Sequence, residues 1–108
     1  MSEIKAEYKG QVIPLTLEAF KNRSCSLGIE HSEFIPPTPE EVKSLRTILR
    51  FTQNDLARFV GVSYSKNKGS STVKKWETAS KKESRAISLS AWQLMLIKAG
   101  LVVVTPII

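Results

Sequence analysis

The chain has 108 residues, 42% of them hydrophobic, and a formal net charge of +6, which suits one modest core rather than two. No run approaches the ~18–20 apolar residues of a membrane span, and Met1-Ser2-Glu3-Ile4-Lys5-Ala6-Glu7 lacks a signal peptide's apolar segment, so a soluble, cytoplasmic protein is expected. Cys25 is the only cysteine and His31 the only histidine, which excludes a disulfide framework, a CxxC pair and a zinc site made of Cys and His.

Residues 1–10 are polar and charged without a clear period and are expected to fray. Gln11-Val12-Ile13-Pro14-Leu15 reads as a short strand, at an edge because Pro14 has no N–H to give a ladder. Thr16 is placed to cap a short helix over residues 17–23, with Leu17 and Phe20 on one face. Residues 24–34 are turn-rich. Ile35-Pro36-Pro37-Thr38-Pro39 then marks a boundary, since a residue before proline is pushed out of the helical region.

Thr38-Pro39-Glu40-Glu41 is a capping box, with proline at the first helical position and Glu41 reaching back. Val42, Leu45, Ile48 and Leu49 follow at helical spacing as an inner face. Thr52 opens a second helix with Asp55 three residues on, and Leu56, Ala57, Phe59 and Val60 form its apolar stripe. Gly61 stands where a left-handed residue ends that helix. Tyr64-Ser65-Lys66-Asn67-Lys68-Gly69-Ser70-Ser71 is a polar, basic loop, and Ser70 or Ser71 caps a third helix. Val73 and Trp76, three apart, face its core side, which leaves Thr72, Lys74 and Lys75 facing outward. After a charged loop over residues 78–85, residues 87–98 return to helix. Trp92, Leu94, Met95, Leu96 and Ile97 make this helix apolar nearly all round, the mark of a central or subunit-shared element. The tail Leu101-Val102-Val103-Val104-Thr105-Pro106-Ile107-Ile108 is β-branched and reads as a strand.

The positive charge is concentrated. Between Arg58 and Arg85 stand eight basic residues (Arg58, Lys66, Lys68, Lys74, Lys75, Lys81, Lys82, Arg85) against Glu77 and Glu83, so this window alone carries the chain's +6. A solvated surface spreads its lysines, whereas a face that binds a polyanion gathers them. Arg58, Lys66, Lys68, Lys81 and Lys82 are the expected phosphate clamp.

Arg50-Phe51-Thr52-Gln53-Asn54-Asp55-Leu56-Ala57-Arg58-Phe59-Val60-Gly61-Val62-Ser63, followed by Ser71-Thr72-Val73-Lys74-Lys75-Trp76-Glu77, resembles the Cro/repressor-like (XRE) helix-turn-helix family. The family pattern is T/S-Q-x-x-L-A-x-x-x-G-V-S, a short turn, then T-V-x-x-W-E. One feature departs from it: eight residues separate Ser63 from Thr72 where the family has about two. The resemblance implies a mainly α, lambda-repressor-like helix-turn-helix bundle that binds double-stranded DNA. It implies that Gln53, at the start of the second helix, bonds a backbone phosphate. It also implies that Ser70, Ser71, Thr72, Lys74 and Lys75 meet base edges in the major groove. Trp76 and Trp92 read as core residues, not as base-stacking platforms.

The expected organisation is an N-terminal extension over 1–37 with a strand and short helix, a DNA-binding domain over 38–100, and an apolar C-terminal strand over 101–108. A small β-pairing of the N- and C-terminal segments is expected, within or across subunits. One helix-turn-helix covers only a few base pairs, so a homodimer on an inverted repeat is expected, with Trp92, Met95, Leu96, Leu101 and Val103 in the contact. The leading function is an autoregulatory repressor of a phage, plasmid or other mobile element. An antitoxin whose region up to about Phe34 binds a toxin, and a protein–protein module without DNA, are the alternatives. An enzyme is not expected: the single His and Cys have no obvious partner, Asp55 is the lone aspartate, and no glycine-rich phosphate loop occurs. No cofactor or metal is expected.

Overall fold

A computed structural model describes residues 5–8, 11–80, 82 and 84–102. Among these the chain is mainly helical, with a two-stranded hairpin at its start. The elements run β1 (Lys5–Tyr8), β2 (Gln11–Pro14), α1 (Leu17–Phe20), a 3-10 turn (Ser24–Ser26), α2 (Pro39–Ile48), α3 (Gln53–Val60), α4 (Ser71–Trp76) and α5 (Leu89–Ala99). None of these helices is long and apolar enough to cross a membrane.

The helix boundaries follow from local capping chemistry. The Thr38 hydroxyl accepts from the Glu41 N–H at 3.2 Å while the Glu41 carboxylate accepts from the Thr38 N–H at 2.8 Å, which satisfies two of the donors a helix start leaves free. Thr52 and Asp55 repeat this at α3, at 3.0 and 2.9 Å. Ser70 caps α4, Ser88 caps α5 and Thr16 caps α1. Gly61 ends α3 in the left-handed region, φ 85°, and both its own N–H and that of Val62 return to the Ala57 carbonyl at 2.9 Å. Arg50 fills the equivalent left-handed position after α2, φ 63°; behind it the Phe51 N–H bonds the Arg46 carbonyl at 3.1 Å.

The expected pairing of the N-terminal strand with the tail involves residues 103–108, which lie outside the described residues. β2 pairs antiparallel with β1, Lys5 opposite Pro14 and Tyr8 opposite Gln11, so residues 5–8, expected to be irregular, form a strand. Two residues separate these strands in the sequence, and closing so short a connection costs little entropy. Pro14 sits at the end of its strand, as a residue without an N–H requires. Its carbonyl accepts from the buried Ser44 hydroxyl, which ties the hairpin to α2. The first helix is also shorter than expected, ending at Phe20 before the 3-10 turn.

The core gathers Val42 and Leu45 of α2, Leu56 and Ala57 of α3, Val73 and Trp76 of α4, and Trp92, Met95 and Leu96 of α5. Phe20 and Cys25 belong to the same cluster. The Phe20 and Trp92 rings lie 6.5 Å apart, and the Trp92 indole N–H donates to the Cys25 carbonyl at 2.7 Å. Burial pushes the Cys25 thiol up to about 12, and the Glu41 carboxylate adds to the effect.

This packing corrects the expected dimer contact. Trp92, Met95 and Leu96 are each 0% exposed within one chain, as members of its core cluster, with Trp92 packed against Phe20 and bonded to Cys25. Leu101 is half-buried, and its N–H and that of Val102 return to the Leu96 carbonyl at 2.9 and 3.4 Å. These two residues therefore close α5 instead of starting a strand. Val103, with the rest of the expected tail strand, lies outside the described residues. The exposed apolar positions on α5 are Leu89 and Leu94.

Candidate nucleic-acid interface

α4 is short, amphipathic and fixed at both ends. Val73 and Trp76 are buried, while Ser71, Lys74 and Lys75 are exposed and Thr72 is half-buried. At the start of α4 the Ser70 hydroxyl donates to the Ser63 carbonyl at 2.8 Å and accepts from the Val73 N–H at 3.3 Å. Ser70 is 0% exposed. It is therefore a structural cap and does not belong among the groups available to a base edge, a correction to the set expected from the sequence. The hydroxyl is consumed in joining the loop to the helix.

The other end of α4 is closed by Glu77, whose carboxylate collects three donors. Arg46 of α2 engages it through Nε at 2.5 Å and a second guanidinium nitrogen at 3.0 Å. Gln53 of α3 donates its amide to the same carboxylate at 3.0 Å. Arg46 also donates to the Phe51 carbonyl at 2.9 Å, between α2 and α3. One buried carboxylate thus ties three helices, with fork-shaped recognition that a lysine could not supply. Gln53, expected at a phosphate, spends one of its two amide N–H donors on Glu77.

The connection between α3 and α4 is ordered by its own bonds. Ser65 and Gly69 exchange backbone hydrogen bonds, both 2.9 Å, across a three-residue tip of Lys66, Asn67 and Lys68. Within it the Lys68 N–H donates to the Ser65 hydroxyl at 2.9 Å. Asn54 of α3 donates to the Ser65 carbonyl at 3.0 Å, and the Lys74 ammonium of α4 donates to the Lys68 carbonyl at 2.8 Å. Gly69 adopts φ 77°, and a Cβ there would stand 3.3 Å from the Lys74 side chain.

The structure therefore brings Lys66, Lys68 and Lys74 into one basic cluster, with Lys75 next in α4. Arg58, in the last turn of α3, and Lys82, in the loop after α4, are exposed but lie outside this hydrogen-bonded unit. Lys81 falls outside the described residues. The following loop is anchored on α4 as well, the Arg85 N–H donating to the Lys75 carbonyl at 3.1 Å.

Sequence reasoning missed Arg46 and Asn54. Arg46 carried no signal beyond facing away from the apolar stripe, and its partner lies 31 positions on. Asn54 looked like any polar residue in a first helical turn. Compared with known proteins, the chain matches no family model, no curated protein and no solved structure.

Proposed function

We propose that this chain is a sequence-specific DNA-binding regulator in which α3 and α4 act as a helix-turn-helix and α4 enters the major groove. The observation that carries this reading is the two-sidedness of α4. Its valine and tryptophan are buried, its far end is clamped by the Arg46–Glu77 pair, and its serine and lysines are left outward. A rigid element that presents donors on a basic surface suits guanine O6 and N7, which accept from lysine, and the phosphates beside them. The concentration of the chain's net charge around this one element supports the same partner. The groups assigned to base edges are Ser71, Thr72 and Lys75; Lys66, Lys68, Arg58 and Lys82 are assigned to phosphates.

Repression of its own gene is the biological role proposed, with control by protein concentration. One short reading helix covers only a few base pairs, so the proposal includes a two-fold dimer on an inverted repeat. Leu89 and Leu94 on the outer side of α5 are the apolar positions open to such a contact, in place of the buried residues. A footprint on the DNA upstream of its own gene tests the reading. A protected inverted repeat is expected, and protection is lost in Lys74→Ala/Lys75→Ala. Protection by that double variant with unchanged affinity would overturn the placement of α4, and absence of binding to any duplex would overturn the function.

A further inference from the structure

The six residues of α4 span only about 9 Å along the helix axis. So short a helix offers few side chains to the groove it is proposed to enter. Beside it stands the tip of the loop between α3 and α4, which exposes Lys66, Asn67 and Lys68. Exposed loops are ordinarily mobile, and a mobile lysine loses much of its gain to ordering entropy. This loop is different. It is closed on itself by the Ser65–Gly69 pair, held to α3 by Asn54 and held to α4 by Lys74.

On these grounds we infer that the loop over residues 64–69 is a second, preorganised DNA-contacting element, whose Lys66 and Lys68 grip the phosphate backbone beside the groove that α4 occupies. The inference rests on the proposed function and deepens it, assigning phosphate contact to the loop and base contact to α4. Lys66 and Lys68 stand on a tip beside α4 and not on the helix proposed to enter the groove, and a phosphate oxygen accepts from a lysine point charge without a matching base edge, which is why backbone phosphate is the ligand chosen. Lys74 acts here as a positioning residue. One of its three donors holds the Lys68 carbonyl, so it sets the direction of the tip from within α4.

The test uses the full-length protein and a short duplex carrying the sequence that the wild type selects from a random library. Binding is measured as a function of salt for the wild type, Lys66→Ala/Lys68→Ala and Gly69→Ala. Each lost phosphate contact flattens the slope of log K against log salt by about 0.9. The double variant is therefore expected to flatten it by about 1.8 per bound subunit, with sequence preference unchanged. Gly69→Ala keeps every lysine but disturbs the closed loop, and it is expected to weaken binding several-fold with circular dichroism unaltered.

A double variant with the wild-type slope would overturn the inference and leave the role of α4 standing. A double variant with altered sequence preference would also overturn it, because the tip would then be reading bases. Wild-type affinity in Gly69→Ala would remove the claim of preorganisation. Failure of the wild type to select any duplex would overturn the inference together with the function it rests on.

Discussion

Arg46 and Glu77, 31 positions apart, form a two-point ion pair whose side chains are 13% and 4% exposed. The pair joins the last turn of α2 to the C-cap of α4 across the start of α3. Charges this dry are expensive to strand, because the partner left behind keeps its desolvation penalty and loses its compensation.

Glu77→Ala is expected to cost about 3–5 kcal/mol of folding free energy, the usual effect of leaving one buried charge alone. Replacing both partners, as in Arg46→Met/Glu77→Met, is expected to restore most of the loss, since an apolar pair carries no unpaired charge. Urea denaturation of the three proteins separates these outcomes. Equal destabilisation in the single and double variants would mean that packing, not charge, dominates at this site.

Two left-handed positions make opposite predictions. Gly61 has open space around it, since a Cβ would meet nothing within 4 Å. Gly61→Ala should therefore cost only the conformational penalty of φ 85°, about 1–2 kcal/mol. Arg50 already bears such a penalty at φ 63°. Arg50→Gly is expected to gain about 0.5–1 kcal/mol, the relief being partly offset by glycine's greater unfolded-state entropy. Thermal melts decide both, at about 4–8 °C per kcal/mol for a chain of this size.

What was legible in the sequence was local. The Thr38–Glu41 and Thr52–Asp55 boxes, the Gly61 stop and the inward pair Val73 and Trp76 each declare themselves within one turn of helix. The outward set on α4 follows from that inward pair, except at Ser70. Two adjacent serines fit the cap equally well, and only the Ser63 carbonyl decides that Ser70 turns inside. The misreadings were long-range. The apolarity of α5 could not reveal whether a second subunit or the chain's own start covers it. The answer is a contact between Trp92 and Cys25, 67 positions apart. The clamp on Glu77 was hidden for the same reason, as periodicity assigns a face but never a partner.

Asp55 predicts how stability responds to acid. The Thr52 N–H bonded to its carboxylate at 2.9 Å, with the Thr52 side chain and then the nearby Arg58 cation, holds the carboxyl below the ordinary aspartate range. A carboxyl depressed in the folded state binds fewer protons there than in the unfolded chain. Its contribution is therefore complete above the unfolded value of about 3.9 and is lost as pH falls through the lower folded value. Asp55→Ala is expected to be less stable than the wild type by a constant margin above about pH 5, the margin closing in stronger acid. Denaturation curves at several pH values measure it, and a deficit that persists unchanged in acid would show that the carboxylate's charge contributes nothing.

The two neighbouring lysines of α4 should part company when they are changed one at a time. Lys75 is exposed in the outward set, and among the described residues its backbone, not its ammonium, is tied to a neighbour. If it meets a base edge, Lys75→Ala removes about 1–3 kcal/mol of discrimination at that base pair and relaxes preference there alone. The Lys74 ammonium is engaged with the Lys68 carbonyl at 2.8 Å. Lys74→Ala should therefore weaken all duplexes alike, through the loop it no longer holds. Binding of each variant to a panel of single-base substitutions of the selected site shows which residue reads sequence. Relaxed preference in Lys74→Ala, with Lys75→Ala unchanged, would exchange the two roles and place the reading face of α4 one residue earlier.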